Sequence, residues 1–472
     1  TFHYCILVCI SCCRLSENTN WTVLLIEAEG KEPAWDSVSA YETYTQHSRL
    51  TVYWPVEEDK RFCGGKMCKF FGDNDGWGYE EILPFFKKWE NNLDPEFYND
   101  TKYHAKGGSQ SVGRWQYTDT NVKALLSAFE EVGLQQSDIN GPVQEGTKRA
   151  TGVEFASQHT GAKLGKLKAK KEIILSGGAI SSPQILMLSG IGPEKTFKSL
   201  GIPVIESLNV GENLQTHYRI DVKLLKSVRG KMPEIEDDVL SDFIQYNSNH
   251  SGPLSATGPF VINGYIHSSL SKPTDIPDIQ LLFGPRYFYK TEPPPLFQMP
   301  ISYYDSITGE AYLVLPKSRG YVTINSTNPF SSPVIKAFHK IEEQDFLRLA
   351  DGIYFLTEKL YKTESFQQLG EILDEKQAPL CSQHTFNTRE YWLCYAKHYS
   401  EPQRHYAGTC KMGPPSDPTA VVDSKLKVHG ILNLRVIDAS IMPLLVNGNV
   451  NAPVLMIAEK GADMIIKEHR NF

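Results

Sequence analysis

The sequence predicts an α/β dinucleotide-binding body, discontinuous along the chain, with an α+β domain inserted into it. Three observations lead there. TVLLIE at 22–27 is an apolar run closing on an acid, as the second strand of a dinucleotide-binding βαβ unit does, with Glu27 placed to accept hydrogen bonds from a ribose. From about 214 to 400 the chain mixes strand patterns with Pro-rich loops and one long helix, which is α+β character. The last seventy residues then return to a strand, a loop and a helix.

The chain has 472 residues, enough for two domains or one large body, with 41% hydrophobic and 22% charged residues. A net charge of −7 gives no reason to expect nucleic acid or an anionic membrane surface. The densest basic run, KLGKLKAKKE at 163–172, alternates Lys with apolar residues and reads as a strand with one solvated face. No run approaches the ~20 apolar residues that span a bilayer. YCILVCISCC at 4–13 fits either a short signal-peptide core or a buried strand entering a helix. Cys5, Cys9, Cys12 and Cys13 lack the spacing of a zinc site, and no metal is expected. Cys381 and Cys394 are a pair that a secreted protein would bridge. Sequons at Asn20, Asn99, Asn249 and Asn325 also suit a secreted glycoprotein, so an extracellular location is expected.

Taken in order, GWGYEEILPFFKKWENN at 76–92 has apolar residues at helical spacing, and TNVKALLSAFEEVGL is a second helix ended by Gly133. TGVEFASQHTGAKLGKLKAKKEIIL reads as a β-meander with its turn at Gly161–Gly165. SSPQILMLSGIGP starts a helix, with Pro183 at an early position where its missing N–H costs nothing. DIQLLFGP and SRGYVTINS are strands, and EEQDFLRLADGIYFLTEKL is the long helix of the middle region. LNLRVIDAS is a strand running into a loop. The terminal helix carries Val454, Ile457, Ala458, Ala462 and Ile465 on one face. These elements divide the chain into a body at 1–95, 150–213 and 403–472, a connecting helical segment at 96–149, and an inserted domain at 214–402.

Three stretches carry the chemistry: GGAISSPQILMLSGIG at 177–192, HYAGTCKMG at 405–413, and the block from VVDSKLKVHG to AEKGADMI at 421–465. Together they resemble the glucose–methanol–choline (GMC) flavin oxidoreductases, particularly the insect glucose-dehydrogenase-like branch. VGENLQTH at 210–217, SRGYVTINSTNPF and the Cys381/Cys394 pair fit the same branch. The resemblance implies FAD in a dinucleotide fold and oxidation of a CH–OH group of an alcohol or sugar by hydride transfer. The electron acceptor is then a quinone-like compound or oxygen. Such a reaction needs a base at the substrate hydroxyl and a polar group for the developing alkoxide. His405 stands at the family's catalytic His, and an ordinary imidazole pKa of ~6.5 suits a proton acceptor. Asn449 stands at the second active-site position. Gly177, Ala179, Asp438, Ala439, Asn449 and Val450, with Glu27, are the implied cofactor contacts. His217 and His429 are read as ordinary hydrogen-bonded side chains.

Three departures accompany the resemblance. His3, Cys5 and Val8 fall near positions where the phosphate-binding turn has glycines, and branched Val8 cannot replace one. CGGKMCKF passes almost directly into GWGYEEIL, leaving Gly64 and Gly65 as remnants of a second glycine stretch. A strand-containing segment is also missing between Gln144 and Ala150. Losing two or three charge-assisted hydrogen bonds to phosphate weakens binding by ~3–9 kcal/mol, a factor of roughly 10² to 10⁶. Impaired FAD binding is expected, and a second reading stands beside the enzyme: a catalytically silent paralogue or splice form that acts as a secreted, flavin-free interaction protein.

Overall fold

The computed structural model describes residues 14–16, 23, 84–92 without 86, 105–112 without 109, 150–156, 163–224 without 170, parts of 241–255, 262–285 without 273–275, and 307–469 without 341 and 369–372. Glu27, Gly64 and Gly65, the helix expected at 120–134 and the three shortened stretches lie outside the described residues.

Helical backbone at 84–85 and 87–89 gives way to strand β1 (Glu90–Asn92), which pairs in parallel with β2 (Gln110–Val112). The helix expected to reach residue 92 therefore stops at Trp89. Glu90 and Asn91 are drawn out of it by other partners: Glu90 Oε2 accepts from the Ala105 N–H at 2.8 Å and Asn91 Oδ1 from the Gly107 N–H at 3.0 Å. Asn is also a poor helix former.

β3 (Gly152–Ala156) and β4 (Lys163–Lys168) form an antiparallel hairpin. Gly165, assigned to the turn from sequence, instead lies in β4 opposite Phe155. β5 (Ile173–Leu175) does not extend this meander; it pairs in parallel with Leu434–Val436. Helix α1 (Gly178–Leu188) follows, with Pro183 well inside it rather than in its first turn. The proline cannot donate to the Ala179 carbonyl four residues back. Thr409 Oγ1 supplies that hydrogen bond instead, at 2.7 Å. Short strands β6 (Ile191–Gly192) and β7 (Glu206–Ser207) pair in parallel around helix α2 (Glu194–Leu200).

The middle region is built on an antiparallel sheet of β8 (Tyr218–Leu224), β9 (Asn263–Ile266), β10 (Ile279–Pro285) and β11 (Ile307–Leu313), in the order β8, β11, β10, β9. β12 (Arg319–Thr323) and β13 (Val334–Lys340) form a separate hairpin. Helix α3 (Gln344–Phe355) runs on through a π-helical turn to Leu360, and α4 is Arg389–Tyr399. β14 (Glu401–Pro402) adds to the free edge of β8. Strand alternation gives the sheet two faces. Ile220, Ile279, Leu281, Phe283, Ala311 and Leu313 bury one face with Phe346, Leu349, Ile353 and Trp392 of the helices. Gly352 lets α3 approach the sheet: an added Cβ would lie 2.8 Å from the Ala311 side chain. A Cys381–Cys394 disulfide, as expected, ties α4 to the segment before it.

The chain then returns to the first body through β15 (Leu434–Val436), a 3-10 turn at Ala439–Ile441 and helix α5 (Asn451–His469). The five apolar residues assigned to one face of α5 are all buried, in a core shared with Leu186, Met187, Val436 and Ile437. Val454, Ile457 and Ile465 each contribute about 1.5–3 kcal/mol on full burial. Among the described residues no helix is long and apolar enough to cross a membrane.

Candidate active site

Three segments far apart in sequence meet at residues 403–412. On one side Ala407 exchanges both backbone hydrogen bonds with Gln215, and the Gln403 N–H donates to the His217 carbonyl at 2.8 Å. On the other side the N–H groups of Gly408, Cys410 and Met412 donate to the carbonyls of Ala439, Ser440 and Ile441. This threading demands glycine at 408, where φ is +91° and an added Cβ would lie 2.6 Å from the Asn213 carbonyl oxygen.

Alternate side chains of the 213–217 stretch then fix the loop that leads to Asn449. Asn213 Nδ2 donates to the carbonyls of Gly408 and Pro443. Gln215 Nε2 donates to the Pro443 carbonyl at 3.2 Å, while its Oε1 accepts from the Leu445 N–H at 3.1 Å. His217 completes the series. Its Nε2 lies 2.9 Å from the Val446 carbonyl oxygen, and its Nδ1 lies 2.8 Å from Nδ1 of His405. The rings meet edge to face, 84° apart.

This contact fixes proton positions. His217 is fully buried, and burial pushes its pKa down to about 4 against the opposing pull of the Val446 and Val314 carbonyls. It is therefore neutral near pH 7, with one ring proton. A carbonyl only accepts, so that proton sits on Nε2 and His217 Nδ1 is an acceptor. His405 must then donate from its own Nδ1, and in the neutral form of His405 this places its basic lone pair on Nε2. Sequence reasoning set His217 aside; the available signal was the polar alternation Asn213, Gln215, His217 leading into a strand. His429, read the same way, does bond only structurally among the described contacts, to the Gly413 carbonyl at 2.9 Å.

The remaining candidates are placed as follows. Asn449 is exposed, two residues before α5, and its Oδ1 accepts from Gln280 Nε2 at 3.4 Å. Val450 is buried and its carbonyl starts the helix by accepting from the Val454 N–H. Gly177 and Ala179 flank the start of α1. There the Gly178 N–H and the Ser182 hydroxyl both donate to Asp438 Oδ2, at 2.9 and 2.6 Å. Asp438 Oδ1 accepts from the Ser440 N–H. Burial raises the pKa of this carboxyl, against those hydrogen bonds. The Asp438 side chain thus clamps α1 to the Ala439 turn, and what it leaves for a ligand is its backbone. Glu27 lies outside the described residues.

The donor set suits the ring end of a flavin. The N–H groups in the first turn of α5 have no intrahelical acceptor and carry the positive end of the helix dipole. They follow Asn449 directly in the chain, so a group that gains negative charge on reduction is matched there.

Comparison with known proteins shows the family. Two family models described as GMC oxidoreductase match residues 142–219 and 316–458. Glucose dehydrogenase [FAD, quinone] of Drosophila pseudoobscura pseudoobscura is 32% identical, over 96% of this chain and 84% of its own length. That alignment runs over 532 positions, more than this chain's 472 residues, so the relative has residues without counterparts here. Human mitochondrial choline dehydrogenase is 32% identical over 83% of the chain and 70% of its own length. Formate oxidase from Aspergillus oryzae RIB40 superposes with a TM-score of 0.79 at 22% identity, covering 98% of this chain and 96% of its own. Pyridoxine 4-oxidase from Mesorbium loti gives 0.67 at 20% identity, over 98% and 97%. Nothing in these matches favours a flavin-free interaction protein.

Proposed function

The chain belongs to the GMC oxidoreductase family, FAD-dependent oxidoreductases acting on the CH–OH group of alcohol or sugar donors, and we propose that His405 is its base, Asn449 the partner and His217 the residue that sets the proton on His405. The observation that carries this reading is the 2.8 Å contact between the two histidine Nδ1 atoms. His405 Nε2 takes the proton of the substrate hydroxyl. His405 is then cationic, and its Nδ1–H continues to donate to neutral His217, which holds the ring in place while the charge develops. With its Oδ1 engaged by Gln280, Asn449 presents its NH₂ to the negative oxygen. FAD supplies the acceptor for the hydride that leaves the same carbon. Gly177, Ala179, Ala439, Val450 and the N-terminal turn of α5 would hold it, with the Asp438 carboxylate fixing the first of these segments.

Replacing His405 with Ala is expected to lower alcohol-dependent dye reduction at least 10²-fold while the flavin absorption bands stay unchanged. Undiminished turnover would remove His405 from its role. The acceptor in this reading is a quinone-like compound rather than oxygen, supported by the name of the Drosophila relative. Rates with a soluble quinone and with dissolved oxygen, measured side by side, decide between them. An extracellular setting is supported by the Cys381–Cys394 bridge and by sequons Asn249 and Asn325, both on exposed residues. Recovery of the glycosylated chain from culture medium is the check; retention in the reducing cytosol would contradict it.

A further inference from the structure

The sheet face opposite the α3 core carries one row of side chains directly across four strands: Arg219 on β8, Tyr312 on β11, Gln280 on β10 and Tyr265 on β9. His217 lies on the same face, two residues before Arg219. Gln280 is fully buried, and its Nε2 donates to Asn263 Oδ1 at 2.5 Å and to Asn449 Oδ1 at 3.4 Å. Its Oε1 is buried with no hydrogen-bond partner among the described residues. An amide oxygen left so in an apolar strand is costly, and the neighbouring tyrosines do not relieve it. The Tyr312 hydroxyl is engaged with Glu310 at 2.5 Å, and Glu310 is in turn paired with Arg219 at 2.8 Å.

We propose that Gln280 is a specificity-determining residue whose Oε1 accepts a hydrogen bond from a second substrate hydroxyl, so that the site selects neutral polyols over monohydric alcohols. This rests on the reading of His405 and Asn449 as the alcohol-oxidising pair. One amide then serves two positions. Its nitrogen reaches the residue assigned to the reacting oxygen, and its oxygen, on the same amide carbon, is left to accept from a second hydroxyl. The O–H donor that Oε1 lacks is the group a polyol brings and a monohydric alcohol does not.

The test compares wild type with Gln280→Leu and with Gln280→Asn, which keeps an amide one methylene shorter and protects the result against a leucine variant that fails to fold. The readout is the ratio of kcat/KM for D-glucose to that for 1-hexanol. A fall in the ratio of tenfold or more in a flavin-retaining variant is expected, since a site built around a substrate hydroxyl discriminates strongly against its absence. An unchanged ratio, whether both rates fall together or neither does, overturns the proposal and leaves Gln280 as a support for Asn449 alone. Wild type that oxidises no alcohol would refute the catalytic reading separately. Calorimetric titration with 1,5-anhydroglucitol then decides for Gln280: tenfold weaker binding to the variants supports it, and equal binding overturns it.

Discussion

Around His405 the protein is held together backbone to backbone, by irregular segments from residues 213–217, 403–412 and 439–446, whereas Asn449 and Gln280 meet against a regular sheet whose side chains stand in rows. In the first region the side chains of Asn213, Gln215 and His217 also hold the loop, and Gly408 leaves no room even for a Cβ. In the second, the main-chain ladder of β8 to β11 is complete without the side chains that face the site, and its other face has a core of its own under α3. Chemistry shared by a family belongs on the first kind of framework. Selectivity, which differs between relatives named for glucose and choline, belongs on the second.

The largest expected effect tests whether the second framework is self-supporting. Phe346→Ala, in the core under the sheet, should cost about 3–5 kcal/mol of stability. If the cores are separate, urea unfolding followed by circular dichroism will show one transition moved and another left in place. A single transition shifted as a whole would break the comparison. Next in size is a pH effect in the first framework. Unfolded His217 titrates near 6.5, and in the folded chain its pKa is about 4. Between these values the unfolded chain binds a proton that the native chain does not, so stability falls as pH drops from about 6.5 to about 4, by about 3 kcal/mol. Wild type minus His217→Asn, measured by thermal unfolding across that range, should recover this slope. A flat difference would mean that His217 is not held neutral. The smallest effect concerns Thr409. Thr409→Val strips the Ala179 carbonyl of its donor and should cost about 1–3 kcal/mol. Adding Pro183→Ala restores a backbone donor and should return part of that loss, a gain that a double-mutant cycle would register.

Regular elements were legible where the local pattern alone decides them. The period of Gln344–Phe355, the apolar stripe of Asn451–His469 and the β-rich runs at Ile279–Pro285 and Arg319–Thr323 all fold as read. Pairing partners were not legible. β5 continues the alternation of β3 and β4, but its neighbour is β15, some 260 residues on, and nothing in IIL specifies that choice. Turn and helix ends slipped for a related reason. Glu90 and Asn91 left the helix because Ala105 and Gly107 offered donors. In the site, His405 and Asn449 stood out through the motifs around them, which the matched family models now cover. His217 and Gln280 did not. One is a lone histidine entering a strand and the other a lone amide in an apolar strand, and each acquires its meaning only from the residue that the fold sets against it.

Pro183 has a consequence for the order in which the molecule is completed. Helix α1 leaves the ribosome with a carbonyl that no residue of its own can answer, and the hydroxyl that answers it lies 230 residues downstream. At ordinary rates of synthesis that interval is about 10 to 50 s. For that time the helix end, the Asp438 clamp and the shared core beneath α5 all wait for the same late segment. The first body is thus finished only after the inserted domain has emerged, and a chain stalled within that domain would present a half-built binding site to the machinery that surveys unfinished proteins.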